Sequence, residues 1–154
     1  MIEIINAVEQ SEIDLARQLF REYQASLGVD LSFQNFTAEL DALPGEYASP
    51  RGRLLLARDS TRDMACAALR PLTADTCEMK RLYVRPDYRS LGLGRQLVDQ
   101  VIGEARRIGY ARMLLDTLPT MTGAQRMYER FGFKDVPPYR HNPIEGTRFL
   151  GLDL

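Results

Sequence analysis

Hydrophobic positions along the chain follow two periods, and the changes between them mark the predicted secondary structure. Apolar residues three and four apart predict helices, and each of the longer ones is followed by a glycine that suits a helix C-terminus. Short apolar runs between turn-forming residues predict strands. The predicted helices cover residues 11–27, 33–43, 93–108 and 122–131. The predicted strands cover residues 2–8, 53–58, 64–72, 76–84, 112–117 and 149–154.

The order of these elements predicts a mixed α/β (α+β) fold. Consecutive strands between residues 53 and 84 are joined by short turns, which indicates an antiparallel meander. Ser11 is the predicted N-cap of the first helix, which carries acidic residues in its first turn. No repeat, low-complexity tract or long linker divides the chain, so we expect one domain over residues 1–154.

Composition and charge exclude several classes of function. Lys and Arg number 20 against 21 Asp and Glu, so the formal net charge of −1 provides no basic field for nucleic acid. No apolar run approaches the ~20 residues that span a bilayer, and the N-terminus lacks the basic start of a signal peptide. Cys66 and Cys77 lack metal-ligand spacing and are accompanied by one histidine, His141. We therefore expect a cytoplasmic protein with reduced core cysteines, no metal, no nucleic-acid partner and no membrane contact.

The loop that leads into the helix over 93–108 is a predicted anion site. Its sequence, Arg89-Ser90-Leu91-Gly92-Leu93-Gly94, follows a strand directly. Glycines let a ligand approach the backbone, and the first turn of a helix presents free N–H groups to an anion. Arg85, Arg89 and Arg95 add positive charge, which favours a diphosphate.

Two familiar phosphate-binding loops do not fit this sequence. A Walker loop requires Gly-Lys-Ser/Thr, which is absent, and a dinucleotide fingerprint requires a third glycine where Leu97 stands. One alternative stays open, in which the glycines serve tight packing and the arginines are solvated. The succession of strand, arginine, Gly-x-Gly and helix favours the anion site.

Three segments of the chain carry a family resemblance. The Arg89–Gly94 loop resembles the acyl-CoA pyrophosphate loop of the GCN5-related N-acetyltransferase (GNAT) superfamily, R/Q-x-x-G-x-G/A. Leu82-Tyr83-Val84-Arg85-Pro86 resembles the end of its pantetheine-binding strand, and residues 124–133 resemble its last helix, with the pattern A-x-x-x-Y-E-x-x-G-F. The matching segments lie between residues 64 and 136, about half of the chain. The resemblance implies a mostly antiparallel central sheet of about six to seven strands flanked by about four helices.

The resemblance implies acetyl-CoA (CoA) as cosubstrate and a set of residues that hold it. The strand that carries Leu82, Tyr83 and Val84 is expected to diverge from its neighbour, so that its backbone binds the pantetheine arm as another strand would. The diphosphate is expected at backbone amides of the loop. One departure concerns Met121, where the family often has an asparagine; Thr117, Thr120 or Thr122 would take over its contact. The implied cofactor-binding residues are Leu82, Tyr83, Val84, Arg89, Ser90, Leu91, Gly92, Leu93, Gly94, Arg95 and Thr117.

The resemblance also implies two catalytic residues, Tyr128 and Glu78. Tyr128 is placed where the family has its general acid, beside the leaving sulfur, and its alternative is a core aromatic on the buried face of its helix. Glu78 is the candidate base, and by the period of a strand it shares a side with Lys80, Leu82 and Val84. Pairing of Glu78 with a nearby cation is the alternative. His141 is a further conceivable base, or a solvated loop residue.

The function that the resemblance implies is acetyl transfer from acetyl-CoA to a primary amine of a small molecule or peptide, by direct attack. The alternatives are a non-catalytic CoA-binding sensor or assembly module and, more distantly, a dinucleotide-binding protein. A homodimer is left open. The acceptor side is expected to include the first two helices and the segment over 137–146, whose Arg140 suits a carboxylate-bearing acceptor. The aromatic residues expected there are Tyr23, Phe33, Phe36 and Tyr139.

Overall fold

The computed structural model describes residues 1–32 and 35–154 and contains one seven-stranded sheet. Its strands are β1 (Glu3–Asn6), β2 (Arg53–Arg58), β3 (Asp63–Pro71), β4 (Thr76–Val84), β5 (Arg112–Thr117), β6 (Lys134–Asp135) and β7 (Arg148–Asp153). The α-helices within the described residues are α1 (Gln10–Leu27), α2 (Phe36–Ala42), α3 (Leu93–Ile108) and α4 (Thr122–Phe131). Short 3₁₀ helices cover Gly45–Tyr47 and Pro86–Leu91.

The sheet has the strand order β1-β2-β3-β4-β5-β7-β6. Every neighbouring pair is antiparallel except β4 and β5, which are parallel. Helices α3 and α4 cover one face of the sheet, where Leu97, Val101 and Tyr128 lie in the core. Helices α1 and α2 cover the other face with Phe20 and Phe36. The predicted mixed, mostly antiparallel fold is confirmed.

The parallel pair β4–β5 is held together over only three positions. The pairing joins Thr76–Glu78 to Arg112–Leu114 and ends there. Strand β5 nevertheless continues to pair with β7 as far as Thr117. The two strands therefore diverge beyond Glu78 and leave a wedge-shaped cleft between them, as the resemblance implied.

A β-bulge in β4 lies beside this cleft. Cys66 of β3 is opposite Tyr83, and Ala68 is opposite Lys80, so the register shifts between them. Arg81 takes up the extra residue with a φ of +62°, a left-handed conformation that is uncommon outside glycine. Its guanidinium binds both carboxylate oxygens of Glu39 at 2.9 Å.

Because of the bulge, the β4 side chains are oriented differently from the prediction. Before it, Glu78 and Lys80 point away from α3, as their alternation with the core residues Cys77 and Met79 requires. After it, Leu82 and Val84 pack on the α3 side. The prediction that all four even-numbered residues share one side is wrong, because one extra residue reverses the alternation.

Other differences from the predicted elements lie near the N-terminus and at short segments. Helix α1 begins at Gln10 with Glu9 as N-cap, not Ser11, because the Glu12 carboxylate accepts the backbone N–H groups of Val8 and Glu9. Strand β1 and helix α2 are shorter than predicted, and Phe33 lies outside the described residues. Strand β6 was not predicted, because two exposed polar residues carry no periodic pattern. Within the described ranges, no helix is both long enough and apolar enough to cross a bilayer.

Gly52 provides a stability test of the turn before β2. A Cβ on Gly52 would lie 2.6 Å from the carbonyl carbon of Tyr47 and would also overlap the Glu46 carbonyl oxygen. We expect Gly52→Ala to lower the free energy of unfolding by about 2 kcal/mol or more, because backbone cannot move aside as a flexible side chain can. Urea titration measures the change. The control is Gly123→Ala in α4, where nothing lies within 4 Å and a gain of about 0.5–1 kcal/mol is expected; equal effects would contradict this account.

Candidate active site

The cleft between β4 and β5 gathers polar groups from separate parts of the fold. Strand β4 contributes Lys80, Arg81 and Leu82, and β5 contributes Asp116 and Thr117. Other lining residues are Met79 of β4, Tyr23 of α1, Met121 and Tyr128 at α4, and Asn142 from the segment between β6 and β7. The structure thus brings together Leu82, Thr117 and Tyr128, three of the residues that the sequence placed at the site.

Backbone groups at the end of β4 face the cleft without a strand partner on that side. The pairing with β5 stops at Glu78, whereas Tyr83 and Val84 remain paired with β3 on the opposite side. An extended ligand chain has access to hydrogen-bonding groups of this kind. The geometry at Leu82–Val84 fits a pantetheine arm.

Helix α3 begins at the outer end of the same cleft. Its N-cap, Gly92, has a φ of +74° and no side-chain hydrogen bond caps the helix. Leu93 is fully buried and fixes the first turn against the core, while Ser90, Leu91 and Arg95 are exposed. The first-turn N–H groups are therefore available to an anion.

The presence of glycine at positions 92 and 94 is explained by different features of the structure. The left-handed backbone at Gly92 favours glycine whatever the surrounding space. A Cβ at Gly94 would meet only Met127 and Val84 at 3.9 Å, an ordinary contact. Tight packing within the chain therefore does not explain Gly94. Arg89 is exposed and donates its Nε hydrogen to the Val84 carbonyl at 3.0 Å, which joins the loop to the end of β4.

Tyr128 lies in the cleft on the inner face of α4. The residue is 7% exposed, and its ring packs edge-on against Phe133 with centroids 5.7 Å apart. Burial raises the pKa of the Tyr128 hydroxyl above its ordinary value, and the charge of Asp116 adds to this effect. The phenol therefore stays protonated and is suited to donating a hydrogen bond. Burial likewise raises the pKa of Tyr23, across the cleft, to about 12.

Glu78 is fully buried and surrounded by hydrogen-bond donors. Arg70 binds it at 2.8 and 2.9 Å, Arg140 donates to Oε1 at 2.6 Å, and the Tyr139 hydroxyl donates to Oε2 at 2.5 Å. Burial alone would raise the pKa of Glu78, but the positive charges of Lys80, Arg140 and Arg70 and the Tyr139 hydrogen bond lower it overall. A carboxylate stabilised in this way is a weak proton acceptor, so the geometry favours the pairing alternative.

These contacts attach the segment between β6 and β7 to the sheet beside the cleft. Besides its bond to Glu78, Tyr139 packs edge-on against Phe149 of β7, with centroids 5.5 Å apart. Further along the segment, Asn142 lies at the cleft and donates to Asp116 at 3.4 Å. His141, between these anchors, is exposed. Arg140, which the sequence suggested for an acceptor carboxylate, uses its Nη2 to bind Glu78.

Asp116 is a residue that the sequence analysis missed. It follows three buried residues of β5 and lines the cleft opposite Lys80 and Arg81. A carboxylate at the end of a buried strand, directly before the candidate Thr117, was the available signal. Within residues 1–32 and 35–154, its hydrogen-bond partner is the neutral amide of Asn142, and it forms no ion pair.

The two cysteines and the question of a metal site can be treated together. Cys66 and Cys77 are buried free thiols, and burial raises the pKa of both. Neither lines the cleft. Among the residues that the structure describes, no group of three or more His, Cys, Asp or Glu side chains is arranged to hold a metal ion.

Comparisons with known proteins agree with the fold. The model of the acetyltransferase (GNAT) family matches residues 15–133, and the chain therefore belongs to this family. An uncharacterised N-acetyltransferase of Schizosaccharomyces pombe is 42% identical over 153 residues, covering 97% of this chain and 94% of the relative.

Solved structures show the same fold at lower identity. A GNAT-family acetyltransferase from Staphylococcus aureus has a TM-score of 0.81 at 21% identity, covering 99% of both chains. An acetyltransferase from Salmonella typhimurium, solved with acetyl-CoA as its cofactor, has a TM-score of 0.68 at 20% identity and covers 99% of this chain and 94% of that one.

Replacing the buried carboxylate tests the Glu78 cluster. We expect Glu78→Gln to lower the free energy of unfolding by about 3–5 kcal/mol near pH 7, because Arg70 and Arg140 would lose their shared counter-charge. The folded-state pKa of Glu78 is below its unfolded value, so the stabilisation is complete above the unfolded-state pKa of about 4.3 and is lost as the pH falls through the folded-state pKa. Denaturant unfolding at a series of pH values should show the difference narrowing in acid.

The matched control for this cluster is Glu46→Gln. Glu46 also binds Arg70, at 3.1 Å, but its side chain is 64% exposed, so we expect a loss below about 1 kcal/mol. A loss for Glu78→Gln that stays constant with pH would contradict the ion-pair account.

Proposed function

We propose that this protein is an N-acetyltransferase that moves the acetyl group of acetyl-CoA to a primary amine by direct attack. The observation that carries the proposal is the cleft between β4 and β5, whose open strand edge runs from the start of α3 to Tyr128 and Asp116. Family membership supports the acetyl donor, and the structural relative with acetyl-CoA supports it further. The acceptor amine and the residue roles below are part of the proposal.

The chain offers complementary groups to each part of acetyl-CoA. Amides of Leu91–Arg95, with the positive end of α3 behind them, would hold the diphosphate, and Arg89 and Arg95 would add charge. Backbone groups of Leu82, Tyr83 and Val84 would hold the pantetheine arm. Thr117 and Met121 lie together in the cleft, where the Thr117 hydroxyl approaches the Met121 sulfur at 3.7 Å. Bound in this way, acetyl-CoA supplies the thioester carbonyl that the amine attacks.

The acceptor must lose a proton before it attacks. Deprotonation of an alkyl ammonium group with a pKa of ~10.4 costs about 4–5 kcal/mol near pH 7. We assign proton acceptance to Asp116, because it lines the cleft and carries no compensating ion pair among the described residues. Glu78 is assigned a positioning role, since its lone pairs already bind Arg70, Arg140 and Tyr139. This assignment replaces Glu78 as the preferred base.

Tyr128 would stabilise the charge that develops on the departing sulfur. A phenol that burial keeps protonated donates a hydrogen bond but transfers its proton to a thiolate only uphill. Fixed donors aimed at developing charge supply a large part of enzymatic rate enhancement. Tyr128 thus acts mainly as a hydrogen-bond donor in this mechanism.

The first test removes the Tyr128 hydroxyl. We expect Tyr128→Phe to lower kcat about 100-fold in a thiol-release assay with acetyl-CoA and an amine panel, with CoA affinity nearly unchanged. The control is Tyr110→Phe, which removes a buried hydroxyl bonded to the Arg51 carbonyl outside the cleft and should leave kcat unaltered. Unchanged kcat in Tyr128→Phe rejects the donor role. Tight CoA binding without turnover of any amine would support the non-catalytic alternative instead.

The second test compares the two carboxylates as bases. We expect Asp116→Asn to lower kcat at least about 100-fold and to abolish the acidic limb of the pH–rate profile, because an amide keeps the Asn142 hydrogen bond but accepts no proton. Asp99→Asn, on the exposed side of α3, is the matched control. An acidic limb that persists in Asp116→Asn and disappears in Glu78→Gln would return the role of base to Glu78.

A further inference from the structure

We infer that the acceptor is a primary amine with an apolar carbon group next to its nitrogen, and that this group packs against Tyr23, Leu27 and Leu31 at the cleft. The inference rests on the proposed function and names the substrate class of the same cleft. Its basis is that the two faces of the sheet contribute different lining residues to the cleft.

Residues from both faces of the sheet line the cleft. Thr117 lies on the face that α3 and α4 cover, since its hydroxyl contacts the sulfur of Met121 at the start of α4. Asp116 points to the opposite face, because side chains alternate along a strand and the pairing of β5 with β7 has no register shift. The groups proposed for the donor, the start of α3 and Tyr128, belong to the first face. The second face, which α1 covers, is therefore left for the acceptor.

The α1 side of the cleft is an apolar wall. Tyr23 and Leu27 lie one helical turn apart on α1, and Leu31 follows the end of the helix. All three line the cleft and pack in the same hydrophobic cluster. The Tyr23 ring packs edge-on against Tyr83, with centroids 6.2 Å apart, which fixes its position. A ligand hydrocarbon placed against this wall would be removed from water, which favours binding in proportion to the apolar area buried.

An ammonium next to a hydrocarbon also fits the charged lining residues. Three of the described residues that line the cleft are charged, namely Lys80, Arg81 and Asp116. Both oxygens of Glu39 bind Arg81 at 2.9 Å, and Lys80 interacts electrostatically with the Glu78 carboxylate. Asp116 is the carboxylate on the acceptor face, and an ammonium complements it. A ligand with a cationic end and an apolar end therefore matches both Asp116 and the wall.

The first test uses acceptors that differ in hydrocarbon length. Thiol release is measured at saturating acetyl-CoA with ethylamine, propylamine and butylamine, and with ethanolamine as the polar counterpart of propylamine. We expect kcat/KM to rise about two- to fourfold with each added methylene, the upper value corresponding to full burial of the group. We expect propylamine to be preferred to ethanolamine at least about tenfold, because the wall offers no partner to a hydroxyl. A flat series, or equal use of ethanolamine and propylamine, would overturn the inference.

Substitution of Leu27 tests the assigned wall. We expect the butylamine-to-ethylamine ratio of kcat/KM to fall toward one in Leu27→Asn and to persist in Leu27→Met, which keeps an apolar side chain of similar volume. The matched control is Leu15→Asn, because Leu15 is a half-buried leucine of the same helix that does not line the cleft. The ratio compares two substrates on one variant, so partial loss of folded enzyme cancels. A ratio that persists in Leu27→Asn, or falls equally in Leu15→Asn, overturns the assignment.

Failure of this inference and failure of the proposed function give different results. Absence of turnover with every amine, amino acids and peptides included, rejects the proposed function itself. Turnover of polar amines in preference to the alkylamines rejects this inference alone.

Discussion

The bulge in β4 is the constraint on which the site depends. One extra residue at Arg81 forces a left-handed backbone conformation and reverses the side-chain alternation of the strand. The strand thereby turns Glu78 and Lys80 away from α3 and, two residues further on, turns Leu82 and Val84 toward it. Strain at a non-glycine residue persists only when the surroundings fix it. The bidentate Glu39 contact and the Phe36 ring, 4.8 Å from the Arg81 guanidinium, provide that support.

The divergence of β4 from β5 and the bulge act on the same segment. The divergence leaves one edge of β4 without a strand partner. The bulge turns Lys80 and Leu82 toward different sides of the sheet. Tyr128 enters the cleft from α4, and α4 packs on the same hydrophobic core as α3. The cleft is therefore lined by two strands and a helix that pack on the core, which suits a reaction that depends on the placement of two substrates.

Local pattern was sufficient to predict much of this fold. Strands β2, β4 and β5 and helices α3 and α4 have the predicted bounds, because strong periodicity and terminal glycines define them. The loop at Gly92 was recognisable for the same reason, since its chemistry lies in consecutive residues. The bulge was missed because no glycine marks it. The available signal was a break in the alternation, since polar Arg81 directly follows polar Lys80.

The role of Glu78, which the sequence analysis left open, depends on contacts between residues that are far apart in the chain. Glu78 meets Tyr139 and Arg140 from more than sixty positions away, and no local spacing indicates such a partner. Asp116 was missed because it lines a cleft that exists only where β5 diverges from β4, and no local pattern indicates that divergence. Period and motif describe neighbours in the chain, whereas the ionic state of a carboxylate depends on neighbours in space.

The contacts of Glu78 have a consequence for redesign of acceptor preference. One carboxylate ties β3, through Arg70, to the covering segment, through Tyr139 and Arg140. The covering segment is therefore anchored to the sheet at Tyr139 and Arg140. A segment transplanted from another protein would have to retain Tyr139 and Arg140, which bind Glu78, and an amide at Asn142, which binds Asp116. His141, which is exposed between them, is the position most open to substitution.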